Sequence, residues 1–132
     1  MFTKLSIMTD HISFYTDKKY QQLIKIVNFY DKQIEVLKEM LQEISWRYEG
    51  VATKGARVFY EQAFEEKQNK INLLKHQLNV NKSSLKEAEI NALEDPELFI
   101  HQNKEIEMMV TDFEKEVNAL SRDFKLYVIN KL

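Results

Sequence analysis

Glu97, His101 and Glu105 carry the one spacing in this chain that suits ion binding, at i, i+4 and i+8. On a helix that interval stacks the three in a single stripe. Two carboxylates flanking an imidazole hold divalent cations through oxygen and nitrogen. The same interval also describes a solvated helix face with i,i+4 pairing and no chemistry. The second reading is the expectation, so no metal or cofactor is assigned, and a bundle binding a divalent metal or small ligand through Glu97, His101 and Glu105 is kept as the alternative.

Other chemistry is harder to place. Di-iron bundles take ligands from Glu-x-x-His motifs on facing helices. Here Met8, Leu73 and Leu98 stand three residues before the histidines, and Phe14, Asn79 and Lys104 stand three after. No His-Glu-x-x-His motif is present. His11 and His76 read as surface or rim residues. Ser6, Ser13, Ser45, Ser83, Ser84 and Ser121 lack a strand-turn-helix elbow, and no glycine-rich loop could form an oxyanion hole or cradle phosphate. With no cysteine, disulfides, thiolate metal sites and thiol catalysis drop out. The chain is expected not to be an enzyme.

The elements that would carry these residues follow from the lack of helix breakers. The 132 residues include two glycines, Gly50 and Gly55, and one proline, Pro96, where average usage gives roughly nine and six or seven. That leaves few places to turn and implies a small number of long helices. Charged residues make up 30% and hydrophobic ones 44%, which fits one domain that buries a core. The formal charge of −2, with both signs interspersed and Arg47, Arg57 and Arg122 the only arginines, argues against nucleic acid as a partner. No apolar run approaches a membrane span, and "MFTKLSIMTDHISFY" makes a poor signal peptide. A cytoplasmic location is the expectation.

From Tyr20 the apolar positions fall at Leu23, Val27, Tyr30, Ile34, Leu37, Leu41, Ile44 and Tyr48, in steps of three and four. This is a heptad seam. Gly50 is the expected stop. A second seam runs Tyr60, Phe64, Lys67, Ile71, Leu74, Leu78, Asn81, Leu85, Ala88 and Ala92. Asp95 suits an N-cap, Pro96 a first helical position and Glu97 the positive helix end. The third seam reads Phe99, Asn103, Ile106, Val110, Phe113, Val117, Leu120, Phe124 and Tyr127. The predicted fold class is all-α: an elongated antiparallel up-down-up three-helix bundle with coiled-coil-like packing, one domain over residues 1–132. Its helices cover about 9–49, 56–94 and 96–131.

Residue numbers paired across each hairpin should add to a constant: 191 for Leu74 with Val117 and Leu78 with Phe113, and 108 for Leu37 with Ile71. That register sets Asn81 against Val110 and Asn103 against Ala88. Buried asparagines of this kind fix register, and Lys67 would snorkel to water. Leu5, Met8, Ile12 and Tyr15 keep the spacing one residue out of phase. Either helix one begins near Thr9 and carries a skip, the preferred reading, or a short separate segment precedes it.

Helix one has more apolar surface than one seam needs. Ile26, Phe29, Val36 and Met40 form a second three-four series, broken only by Gln33, and helix two echoes it at Phe59, Leu73 and Val80. The occupied arc is roughly 160–200°, against roughly 100° for an ordinary surface helix. The Phe29-Tyr30 and Phe59-Tyr60 pairs straddle the two faces, with tyrosine on the core seam and phenylalanine on the other. Phe14-Tyr15 does not keep that phase. Contiguous apolar faces mark interaction sites, so these seven residues are the candidate interface of a homodimer, with a further protein partner as the other possibility. A broad intramolecular core is the competing reading.

The stretches "LIKIVNFYDKQIEVLKEML", "INLLKHQL" and "ELFIHQNKEIEMMVTDFEKEVNALSRDFKLYV" resemble, in order, a group of small uncharacterised all-helical proteins from Bacteroidetes. The shared runs match Val27 to Lys32, Leu74 to His76 and Phe113 to Lys115. The resemblance implies an all-helical fold in a bacterial cytoplasm; the group has no assigned activity, so no site residue carries over. Taken together, the expected function is non-enzymatic protein–protein contact by a self-associating helical bundle.

Overall fold

A computed structural model of the chain describes the backbone of residues 4–47, 54–91 and 96–131, and the side chains of residues 17–47, 54–80, 97 and 100–131. Three α-helices pack against one another, α1 (Lys4–Arg47), α2 (Lys54–Asn91) and α3 (Pro96–Lys131), with no strand among the described residues. Gly50, the Asp95 cap, and the side chains of His11, Asn81 and Phe99 lie outside the described residues.

The helix limits differ from the sequence reading at two starts. α1 starts at Lys4 rather than near Thr9 and runs unbroken for 44 residues. No Gly or Pro lies between Lys4 and Tyr20, so the one-residue phase shift there has nothing to end the helix on. α2 starts at Lys54, two residues early, and takes in Gly55, where an added Cβ would meet nothing within 4 Å. Its expected end near 94 lies outside the described residues. α3 begins at Pro96 as expected, with Glu97 in its first turn and Lys131 in its last, both favourable to the helix dipole.

Contacts group the chain into two compact units, each drawing on all three helices. The first takes α1 up to Val27, α2 from Leu74 and α3 up to Thr111. Among the described residues, its buried side chains are Leu23, Val27, Leu74, Leu78 and Val110, with one amide, Asn103. At its edge, Tyr20 Oη donates to Asn79 Oδ1 at 2.7 Å and Lys19 pairs with Glu107 at 2.9 Å.

The second unit takes α1 from Asn28, α2 up to Leu73 and α3 from Asp112. Tyr30, Ile34, Leu37, Leu41, Tyr60, Phe64, Ile71, Phe113, Val117, Phe124 and Val128 are buried there. Apart from Val128, which follows Tyr127, every one is a seam position read from the sequence. Aromatic rings dominate: Phe64 and Phe124 meet edge to face at 5.2 Å, and Tyr60 lies 5.0 Å from Phe124 and 5.5 Å from Tyr127. Rings in such geometries add about 0.5–1.5 kcal/mol per pair beyond the area they bury.

Both hairpin registers differ from the sequence reading: between α1 and α2, Tyr20 with Asn79 and Asp31 with Gln68 add to 99 and Lys38 with Gln68 to 106, rather than 108. Leu74 and Leu78 line a small gap with Ile106 and Val110, so Leu74 with Val110 adds to 184 rather than 191. In the second unit, Tyr60 with Asp123 and Lys67 with Glu116 both add to 183. The partner is displaced by about one heptad. A heptad pattern slid by seven residues superposes on itself, so seam spacing alone does not choose between the two registers.

Candidate functional site

The polar groups at the rim of the second unit are tied to one another. Tyr60 Oη donates to Asp123 Oδ2 at 2.9 Å. Burial and that hydrogen bond push the Tyr60 hydroxyl up to about 12. Lys67, the cation interrupting the α2 seam, reaches Glu116 at 3.0 Å instead of running out to water, and Lys70 donates to the same carboxylate at 2.7 Å. The bonds from Lys70 and Lys67 hold the Glu116 carboxyl below its usual range. On the opposite side of α2, Gln68 accepts from Lys38 and donates to Asp31 at 3.4 Å. Asn118 donates to Tyr30 Oη at 3.1 Å. These contacts join the helices of the unit.

The second apolar series is mostly outside. Phe29 is 55% exposed, Val36 49%, Phe59 59% and Leu73 62%. Val80 is exposed, and Ile26 and Met40 are half-buried. Each Phe-Tyr pair divides as its sequence position requires: Tyr30 and Tyr60 are buried while Phe29 and Phe59 stand out, each edge-on to its own tyrosine at 5.1 and 5.2 Å. The broad intramolecular core therefore does not account for Phe29, Val36, Phe59 or Leu73.

Within the second unit the exposed residues form two strips rather than one. Asp31 and Lys38 mark the side of α1 that reaches α2. At 100° per residue, Phe29 and Val36 lie roughly 140–180° round the helix from them. On α2, Gln68 marks the side that reaches α1, and Phe59 and Leu73 again lie roughly 140–180° away. The strips face away from each other, Phe29, Val36 and half-buried Met40 on α1, and Phe59 and Leu73 on α2.

The histidine stripe is partly assembled. His101 Nε2 and Glu105 Oε1 are 3.1 Å apart on exposed side chains, an ordinary i,i+4 contact. Among the described residues no three His, Asp or Glu side chains come together as a metal-binding group, so Glu97 does not complete the set. His76 is exposed on α2.

One feature escaped the sequence reading. Trp46, the single tryptophan, is 86% exposed at the end of α1. It stands on the rim of an open groove of about 470 Å³ between α1 and α2, floored by Leu41 and Phe64 and edged by Lys38, Arg57, Glu61 and Glu65. The only available signal was a large aromatic lying off both seams. The edge carries both signs of charge and presents no convergent donor set. Among the described residues no helix is long and apolar enough to cross a membrane.

Compared with known proteins, the chain matches no family model, no curated protein and no solved structure. The exposed strips are thus the site on which a functional reading rests.

Proposed function

We propose that the protein is a non-enzymatic helical bundle that acts through protein–protein contact and self-associates as a twofold homodimer through the second apolar face of α1. Its helices run up, down and up. Two short connections favour that arrangement, and in the second unit a step of seven from Tyr60 to Lys67 moves the α3 partner back by seven, from Asp123 to Glu116. Three-four burial along each helix supports coiled-coil-like seams.

The observation that carries the reading is the contrast between Phe29 and Val36, about half exposed, and their neighbours Tyr30, Ile34 and Leu37, which are buried. Apolar side chains left on one side of a helix whose opposite side already fills the core are suited to a second protein surface. A second copy is the simplest such surface, because a twofold contact needs one self-complementary patch. The resemblance to the Bacteroidetes group adds a bacterial cytoplasm as the proposed setting.

Size-exclusion chromatography with light scattering tests this at tens of micromolar. The expected result is a dimer that Phe29→Glu converts to a monomer with unchanged helix content. A monomer whose mass Phe29→Glu leaves as it was overturns the proposal.

A further inference from the structure

The orientation of that dimer follows from charge, an inference that rests on the self-association reading and extends it. α1 is one continuous helix, and several of its charges are already engaged: Lys19 with Glu107, Asp31 and Lys38 with Gln68, and Arg47 with Glu43. The exposed charges that remain beside the apolar face are sorted by sign. Lys18, Lys25 and Lys32 precede Gln33, and Glu39 follows it. None of these four makes an ion pair among the described residues.

A parallel twofold pairing of α1 sets lysine over lysine and glutamate over glutamate. An antiparallel one sets Lys25 of each copy over Glu39 of the other. The apolar series agrees, because its spacing reads almost the same in both directions about Gln33: Phe29 with Val36 adds to 65 and Ile26 with Met40 to 66.

With Lys25 opposite Glu39, Lys32 falls opposite its own copy, as Glu66, midway between Phe59 and Leu73, does in a twofold antiparallel contact through α2. On α1 the Lys25 and Glu39 pairs on either side offset that like-charge contact, whereas Lys67 and Lys70 beside Glu66 are already engaged with Glu116.

We propose that α1 packs antiparallel on α1 of a second copy, with Phe29 against the partner's Val36, Ile26 against the partner's Met40 and Lys25 opposite the partner's Glu39. The occupant of the α1 face is thus a second copy of this chain in one orientation.

The absence of cysteine makes the test clean. Lys25→Cys and Glu39→Cys both fall on exposed helix positions. In the antiparallel dimer the two copies of position 25 stand roughly 22 Å apart at 1.5 Å per residue, whereas positions 25 and 39 are neighbours. A short bis-maleimide should therefore cross-link an equal mixture of the two variants and leave Lys25→Cys alone uncross-linked. Light scattering on the same samples reports the mass. A dimer in which Lys25→Cys cross-links to itself is parallel, and overturns the orientation while self-association stands. A dimer that cross-links in neither sample uses another face and overturns the inference. A monomer overturns both.

Discussion

The hydroxyl of Tyr60 on α2 donates to Oδ2 of Asp123 on α3 at 2.9 Å while its ring stays in the aromatic core. The native hydroxyl titrates at about 12, against about 10 in an unfolded chain. Between those values the unfolded state gives up a proton that the native state keeps, so stability falls as pH rises. The contribution is whole below pH 10 and lost by about pH 12, with a ceiling of about 2–3 kcal/mol at 1.36 kcal/mol per unit. Tyr60→Phe removes it. Urea midpoints of wild type and variant should converge or cross between pH 9.5 and roughly 12; a constant gap across that range refutes the coupling.

Glu116 predicts the opposite slope. Hydrogen bonds from Lys70 and Lys67 lower its native pKa, so the stability it adds is present above the unfolded value and is lost as pH falls through the lowered one. Its side chain is 39% exposed, as Lys70's is 45%, and solvent screens the pair. Glu116→Gln should therefore cost less than about 1 kcal/mol at pH 7. The gap to wild type should narrow as pH drops below about 4.5. Denaturation at pH 7 and pH 3 checks it: a gap as wide at pH 3 means that something other than the carboxylate's charge is at work.

Phe64 and Phe59 lie five residues apart on α2 and predict different costs. Phe64 is fully buried against Phe124 and Tyr60. Phe64→Ala opens a cavity in the ring cluster and should destabilise by about 3–5 kcal/mol. Phe59 keeps an edge-on contact with Tyr60 but is mostly in water. Phe59→Ala should cost about 1 kcal/mol or less. Chemical denaturation of the two variants measures the difference; equal costs would mean that Phe59 is covered in solution.

Much of this arrangement is legible in the residues. Leu23, Val27, Tyr30, Ile34, Leu37 and Leu41 read as core because three-four spacing has one physical meaning on a helix, and each is buried. Phe29 and Phe59 read as a second face for the same reason, and both are exposed. What periodicity does not carry is position along the axis. Leu74 with Val110 and Leu74 with Val117 satisfy the same pattern, and the choice depends on connection geometry and side-chain fit. Nor does the pattern of one helix say how it is turned relative to its neighbour. Only contacts such as Gln68 with Asp31 and Lys38 show that the α1 and α2 strips face away from each other. Trp46, off both seams, gives no periodic signal.

Asn103 bears on that ambiguity. It is the buried amide of the first unit, 7% exposed beside a core of Leu74, Leu78 and Val110. A buried amide costs free energy unless it is hydrogen-bonded, and a shift along the axis changes the groups that the facing helices present to it. A register displaced by seven residues keeps the apolar layers but strands the amide, so Asn103 selects one of two otherwise equivalent alignments. Asn103→Leu should raise the denaturation midpoint, corresponding to a gain of about 1 kcal/mol in unfolding free energy, because the polar seam residue is kept at a cost in stability. It should also split or broaden backbone amide resonances of α2 and α3 as a second register becomes populated. A more stable variant with a single sharp spectrum shows that packing alone sets the register. A less stable one shows that the amide's hydrogen bonds outweigh the apolar surface that replaces them. Either result removes the role argued for Asn103.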